Sequence, residues 1–446
     1  MDDVMTRRER MAAGAALRKR VPRGSHAAWA PVAGRASPVD ILAAQGASRI
    51  QELLPTRYAR MRASAFAFLR GAAAVMAADL AARPHTGLMV QLCGDAHLAN
   101  FGSFASPEGR PVFDVNDFDE TLPGPFEWDL QRLAASLVVC GRDAGLGDKH
   151  CRALAARAVR HYRRYMGRLA RLSAFDAWHS DIDLRDAIAA VDDHDVQRVL
   201  RARLRHAVHA HDDQYGLVEQ GPDGPRIRDH GTTEHIARFT PAMRAVFEAY
   251  RDSAPPHLMA LFRHYRLADC AFKVVGVGSV GTFCALGLFV SGDGEPLLLQ
   301  AKEAQASVLE VGAAPSLFPH HGARVVAGQR VMQSEPDIFL GVPPDKIDGR
   351  CFYVRRLKDS RLADIGAEME ANALPFAASL CGRTLARAHA RGGDAAMLAG
   401  YMGESDAFDE AVADFAMLYA DQSYADWQVF CAAVDKGALN VRANAA

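Results

Sequence analysis

The spacing of apolar residues changes character along the chain, and each change predicts a change of element. Between Arg57 and Ala82 the apolar positions Leu69, Ala73, Met76 and Leu80 recur at the interval that lines one helix face. A short apolar run at 88–92 then reads as a strand. Two more come at Phe101–Ala105 and Val112–Val115, with Pro107, Glu108 and Gly109 as the turn between them. Helical spacing dominates next, over Trp128–Cys140, Asp148–Leu172 and Asp181–His211. Residues 214–232, with several glycines and prolines, predict a loop or small hairpin, and Pro241–Tyr265 a further helix.

Near residue 270 the pattern turns to strands: Phe272–Val277, Thr282–Val290 and Leu297–Lys302, the last two separated by the turn sequence Ser291-Gly-Asp-Gly-Glu-Pro296. Ile338–Val342 and Cys351–Leu357 predict two more strands, with a helix from about His321 to Gln333 between the groups. From Pro375, suited to a first helical turn, the chain is helical again until Gly392-Gly393 stops it. The pattern therefore predicts an α+β chain with no internal repeat. An arm at 1–57 precedes helical chain at 58–267, a strand-rich unit at 268–358 and a second helical part at 359–446.

Composition narrows this picture by exclusion. With 52 Lys+Arg against 53 Asp+Glu the formal charge is −1, which argues against a bulk electrostatic grip on nucleic acid. The arginines clustered near the start (Arg7, Arg8, Arg10, Arg18, Arg20, Arg23) have no apolar stretch behind them. They read as a solvated arm, not a secretory signal. No apolar run reaches the length of a membrane span. The eight cysteines form no close pair and read as reduced, buried thiols, so a cytoplasmic location is expected.

Two windows carry chemistry. The first is Cys93-Gly-Asp-Ala-His-Leu-Ala-Asn100, in a loop after a short strand, with Asn116-Asp-Phe-Asp-Glu120 later at the end of another. A carboxylate and an amide five residues apart can divide two tasks. One orients or deprotonates a hydroxyl, the other binds a divalent ion, and a later carboxylate completes the ion site. A lone G-D-x-H would be an ordinary turn or cap; five polar groups in so short a window between apolar strands are harder to dismiss. The second window is Gly276-Val-Gly-Ser-Val-Gly281. The residues after Gly281 are rich in strand formers, which disfavours the dinucleotide-binding version, where a helix must come next. It favours a loop between antiparallel strands lying over phosphates. Lys302, near the end of the next apolar strand, supports that reading, because a lysine in an apolar run needs a partner. A glycine-rich hairpin and a snorkelling lysine are the bland alternatives.

The residues Cys93–Asn100, Asn116–Thr121 and Phe126-Glu-Trp-Asp-Leu130 resemble the catalytic region of aminoglycoside and choline phosphotransferases, which share the protein-kinase-like fold. The whole chain resembles the bacterial domain-of-unknown-function family 2252, on Phe68–Ala73, Cys93–Gly102, Asn116–Thr121 and Leu385–Arg391. The resemblance implies a two-lobed kinase-like fold binding ATP and Mg2+, with 268–358 as the nucleotide-binding small lobe. By it, Asp95 is the base or substrate-orienting group with His97 beside it. Asn100 and Asp117 are metal ligands, with Asp119 as helper or competitor. Gly276, Gly278, Ser279 and Gly281 form the phosphate loop, Lys302 is the phosphate lysine, and Cys351–Leu357 lies near the adenine-binding hinge.

Three departures accompany it. The glycine loop comes about 180 residues after the catalytic loop, where kinases have it first, so the fold would be circularly permuted. Cys93 stands where the phosphotransferases have histidine. The helix around Ala327 offers no carboxylate to pair with Lys302, leaving Glu310 as candidate because Glu303 is too near. The expected activity is transfer of phosphate from Mg-ATP to a small-molecule hydroxyl. The alternatives are transfer of AMP, a non-catalytic ATP-binding regulator, and a metal-dependent hydrolase built on Asp95, His97, Asp114 and Asp117.

Overall fold

Phe126–Asp143 is helical because it lacks breakers, and it is buried on nearly every side, as expected of a helix at the centre of a bundle. Asp148–Leu169 is amphipathic, and its Leu154, Ala155, Ala158, Val159, Tyr162 and Met166 make one buried stripe. Leu374–Gly392 and Ala407–Asp435 pack against these two and close the main apolar core. The computed structural model describes residues 4–106, 108–190, 194–209, 216–222, 224–274, 276–357 and 371–439. The end of the expected small lobe at 358, and residues 359–370 of the second helical part, lie outside the described residues.

Two short antiparallel pairs flank the first motif window. One joins β1 (Met89–Leu92) to β4 (Leu122–Pro125), and the other joins β2 (Phe101–Ala105) to β3 (Pro111–Val115). A hairpin, β5 (Val218–Gly221) with β6 (Gly224–Ile227), occupies the Gly/Pro-rich stretch. The strand-rich region is one antiparallel sheet. Its strands are β7 (Thr233–Glu234), β8 (Tyr265–Lys273), β9 (Cys284–Ser291), β10 (Pro296–Ala304) and β11 (Cys351–Arg356), in the order β11-β10-β9-β8-β7. Its inner face, with Phe272, Ala285, Phe289, Leu299, Ala301, Phe352 and Val354, packs on the helix Thr240–Asp252 through Val246, Phe247 and Tyr250. A helix at His321–Met332 packs against β11.

Several boundaries differ from those the sequence suggests. The expected long helix at 57–82 is three helices, Leu54–Arg62, Ala65–Gly71 and Ala73–Ala81. The helix expected over Pro241–Tyr265 stops at Asp252, because Pro255-Pro256 cannot continue it, and restarts as Pro256–Phe262. The strand expected at 272–277 runs instead over Tyr265–Lys273, with a register shift between Leu267 and Asp269 that masks its alternation, and the short β7 precedes it in the sheet. At 338–342 there is only an isolated bridge from Gly341 to Val354.

The arginine-rich start is not a solvated arm. Thr6 and Glu9 form a capping box that opens the helix Arg7–Ala16, and this helix crosses Ala395–Met402 at two glycines. A Cβ on Gly14 would lie 2.0 Å from the Met397 carbonyl oxygen, and one on Gly400 would lie 2.1 Å from that of Met11. Arg18 donates from Nε to the Tyr401 carbonyl at 2.8 Å and Arg23 to the Met402 carbonyl at 2.8 Å. The unpaired carbonyls at that helix end are thus met by cations, as helix C-termini favour. His26 is buried against the Tyr401 hydroxyl at 2.7 Å.

Candidate functional site

One face of the helix Phe126–Asp143 shapes the loop Cys93–Asn100. Asp129, Arg132 and Ser136, three and then four residues apart, point the same way. The Asp129 carboxylate accepts from the backbone N–H of Cys93 at 2.8 Å and of Gly94 at 3.0 Å. Ser136 Oγ accepts from the N–H of Leu98 at 2.9 Å. Arg132 makes an ion pair with Asp95. Asp129 is held from behind by His389 Nε2 at 3.2 Å, and His389 Nδ1 by the Tyr162 hydroxyl at 2.9 Å. The end of the helix Leu374–Gly392 thereby reaches the loop. Gly94 adopts φ +86, and a Cβ there would lie 2.3 Å from the Glu120 carbonyl oxygen, so the turn requires glycine.

Burial pushes the Asp95 carboxyl above its usual range even against Arg132, which brings it nearer the range useful to a base. His97 lies with Nε2 3.7 Å from Asp95 Oδ2. Burial first, then Arg132 and Arg70, push its pKa well down, so it is neutral. Asn100 Nδ2 donates to the Asp95 carbonyl at 2.8 Å, leaving its side-chain oxygen as the acceptor. The Asn100 carbonyl accepts from Asn116 N–H at 2.8 Å, tying the two motif loops together.

Across the cleft stands Lys302, on β10 and 3 % exposed. Its Nζ is 2.6 Å from Asp119 Oδ2 and 3.5 Å from Asp117 Oδ2. Burial alone would lower the lysine pKa, yet Asp117 and Asp119 hold it well above the ordinary value. Asp119 also accepts from the Tyr353 hydroxyl at 2.7 Å and from Ser279 Oγ at 3.2 Å. Burial opposes ionisation of Asp119, but Lys302 and Tyr353 outweigh it and bring the pKa down to about 2. The partner of Lys302 is therefore not Glu310 and not on the helix His321–Met332. That helix instead contributes Arg324, which donates to the carbonyls of Thr121, Asp119 and Gln305.

Asp95, His97, Asn100, Asp117, Asp119, Gly276, Gly278, Ser279 and Lys302 all line one cleft of about 840 Å³. Gly281 does not line it; it sits behind the loop at φ +90, its carbonyl accepting from Ile50 N–H at 2.7 Å. Asp114 is not in the cleft either. It is buried in an ion pair with Arg387 and accepts from the N–H groups of Val115 and Ser334. Of the paired histidines, His320 caps its helix and His321 lines the cleft. Among the described residues no group of three or more His, Cys, Asp or Glu side chains is arranged to hold a metal ion. An ion here would rest on Asn100, Asp117 and oxygens of a ligand, which suits magnesium, a cation that keeps few protein ligands.

Sequence reasoning missed Arg132, Ser136, Tyr353, Arg355, Arg49 and Arg70. The i, i+3, i+7 spacing of Asp129, Arg132 and Ser136 is a signal that could have found the first two. Tyr353 and Arg355, two apart on β11, share a strand face and could have been found by alternation. Arg70 lies within the Phe68–Ala73 signature, which could have flagged it, whereas Arg49 carries no local signal.

The profile of the bacterial family described as "Uncharacterized protein conserved in bacteria (DUF2252)" matches residues 49–433, and the chain belongs to that family. No curated protein and no solved structure matches it. No helix among the described residues is long and apolar enough to cross a membrane.

Proposed function

We propose that the chain is an ATP- and Mg2+-dependent phosphotransferase of circularly permuted, protein-kinase-like fold, acting on a hydroxyl of a small molecule. One observation carries this reading: the Asp95 loop and the Lys302 strand, about 200 residues apart in sequence, face each other across a single cleft under the glycine loop. The architecture is consistent with it. The glycine loop joins antiparallel neighbours β8 and β9, and the lysine lies on the next strand, β10. The Asp95 loop runs between two antiparallel strand pairs.

In this reaction Asp95 accepts the proton of the acceptor hydroxyl while that oxygen attacks the terminal phosphorus in line. The bond to the ADP oxygen breaks, and ADP leaves with the electron pair. Arg132 fixes the carboxylate, and neutral His97 excludes water behind it. Lys302 and the glycine loop hold phosphate oxygens. Magnesium, held by Asn100 and Asp117, would neutralise charge on the phosphates. Lys302 must exchange Asp119 for phosphate as ATP enters.

Calorimetry with ATP, with and without magnesium, on wild type, Lys302→Ala and Asp117→Asn tests the reading. Magnesium-dependent binding that weakens in both variants is expected. No binding by wild type would sink it. A hydrolase using Asp114 is disfavoured by the Asp114–Arg387 pair, which keeps that carboxylate out of the cleft. A non-catalytic ATP-binding regulator is the second reading, favoured by the lack of a carboxylate on the helix His321–Met332. It predicts ATP binding with no turnover in an acceptor screen. Transfer of AMP in place of phosphate would show in the product mass.

A further inference from the structure

The cations lining the cleft differ in their partners; Lys346 is among them, and Arg355 donates to Gln300 Oε1 and to the Asn116 carbonyl. Lys302, Arg132 and Arg350 are within reach of carboxylates, those of Asp119, Asp95 and Glu303. Arg49 and Arg70 also line the cleft but have no carboxylate within ion-pair distance among the described residues. The Nε of each is buried without a hydrogen-bond partner. A guanidinium cannot shed its proton in a protein, and a charge held away from water without a counterion, fully on Arg49 and in part on half-buried Arg70, is costly to keep. Two such groups facing one cleft therefore call for an anion from outside the chain.

Their positions say which anion. Arg49 packs its side chain against Gly281 and donates from Nη1 to the Val280 carbonyl at 2.6 Å. Arg70 lies at the other end of the loop. Its Nη2 is 3.9 Å from where a Cβ on Gly276 would stand, and its carbonyl oxygen is 3.3 Å from the same point on Gly278. The two arginines thus bracket the glycine loop. Asp95 is the main negative charge acting on Arg70, and Asp95 is already paired with Arg132. Lys302, Lys346, Arg350 and Arg355 line the same cleft, so it carries more positive charge than one phosphoryl group would need, and a match for a chain of them.

We propose that Arg49 and Arg70 complete a binding site for a polyphosphate chain, gripping it from the helical side of the cleft at the two ends of the glycine loop. This rests on the phosphotransferase reading for its location. The chemistry it names, linked phosphates, is common to a nucleoside triphosphate and to inorganic polyphosphate.

The test is calorimetry with inorganic tripolyphosphate, ATP and AMP as separate probes, on wild type, Arg70→Ala, Arg70→Lys and Arg49→Ala, each checked for an unchanged melting curve. Arg70→Ala should weaken tripolyphosphate and ATP at least about tenfold, the worth of a charge-assisted contact. It should change AMP far less, and Arg70→Lys should recover part of the loss. Tripolyphosphate binding unchanged in Arg70→Ala would overturn the proposal, as would an equal loss for AMP. Wild type binding tripolyphosphate but not ATP would remove the nucleotide reading and keep the polyphosphate site. ATP binding that both alanine variants leave untouched would keep the nucleotide reading and remove this site. If Arg49→Ala fails to fold for want of its bond to Val280, the two Arg70 variants still decide.

Discussion

The two loops that face each other across the cleft are held by different means. The Cys93–Asn100 loop is fixed through its backbone, with N–H groups given to the buried Asp129 and Ser136 and a glycine locked against the Glu120 carbonyl. Nothing that binds in the cleft needs to replace those bonds. The Gly276–Gly281 loop is held from outside itself, by Arg49 on the Val280 carbonyl and by Ser279 on Asp119. Asp119 in turn gathers Lys302 and Tyr353. One wall is therefore fixed by buried backbone hydrogen bonds, and the other is closed by side-chain ion pairs and hydrogen bonds across the cleft. On the proposed reading, rigidity lies where proton transfer needs a fixed distance, and exchangeable pairing lies where substrate would come and go.

The comparison can be broken most forcefully at Asp129. Asp129→Ala leaves two buried N–H groups and His389 without their partner and should cost about 3–5 kcal/mol of stability, read by urea denaturation. A loss under about 1 kcal/mol would mean the loop does not depend on it. The next effect is on pH. Burial pushes Glu127, which accepts from Thr86 N–H at 2.6 Å, up to about 7. Its folded pKa is above the unfolded value, so the native state binds more protons between the two. Stability is then full below about pH 4.5 and falls by up to about 3 kcal/mol as pH rises to 7. Denaturation at pH 5 and pH 8 should show this slope in wild type and a flatter one in Glu127→Gln; equal slopes would refute it.

On the opposite wall Asp119→Asn should cost only about 1–2 kcal/mol. By freeing Lys302 it should tighten magnesium-free ATP binding several-fold, whereas weaker binding would show that Asp119 assists the ligand. Smallest is Ser279→Ala, expected to stay within about 0.5 kcal/mol of wild type while raising amide exchange in the glycine loop. A larger loss would place that loop with the rigid wall.

Much of the molecule was legible because its signals are local. The motif at 93–100, the glycine loop between strand-forming runs, and a lysine inside Leu297–Lys302 each announce themselves within a few residues. The features that escaped depend on partners far away in sequence. Arg18 and Arg23 look like solvated charges until the carbonyls of Tyr401 and Met402 are placed above them. The kinase resemblance implies a helix glutamate for Lys302 and leaves Glu310 as the candidate, but the counterions of Lys302 come from a loop 183 residues earlier. Arg49 follows one short helix and Arg70 sits in the last turn of another, and neither shows its role in the cleft until the glycine loop folds over them. The strand at 265–273 was obscured by a bulge and by a double proline upstream that splits the helix before it. Local pattern reports element type well; it does not report which charges will meet.

The crossing of Arg7–Ala16 with Ala395–Met402 also bears on how the protein is made. Arg18 meets its acceptor carbonyl on a residue 383 positions later, and Asp129 waits 260 residues for His389. At about 5–20 residues per second, a ribosome needs roughly 20–80 s to deliver the far side of the first contact. Late in that time a nascent chain already carries Asp95, the glycine loop and Lys302, but not the helix that buttresses the Asp95 loop. A truncated product would therefore hold all the motif residues and lack the support behind Asp129, so the Asp95 loop gains its buttress only once the helix Leu374–Gly392 has been made.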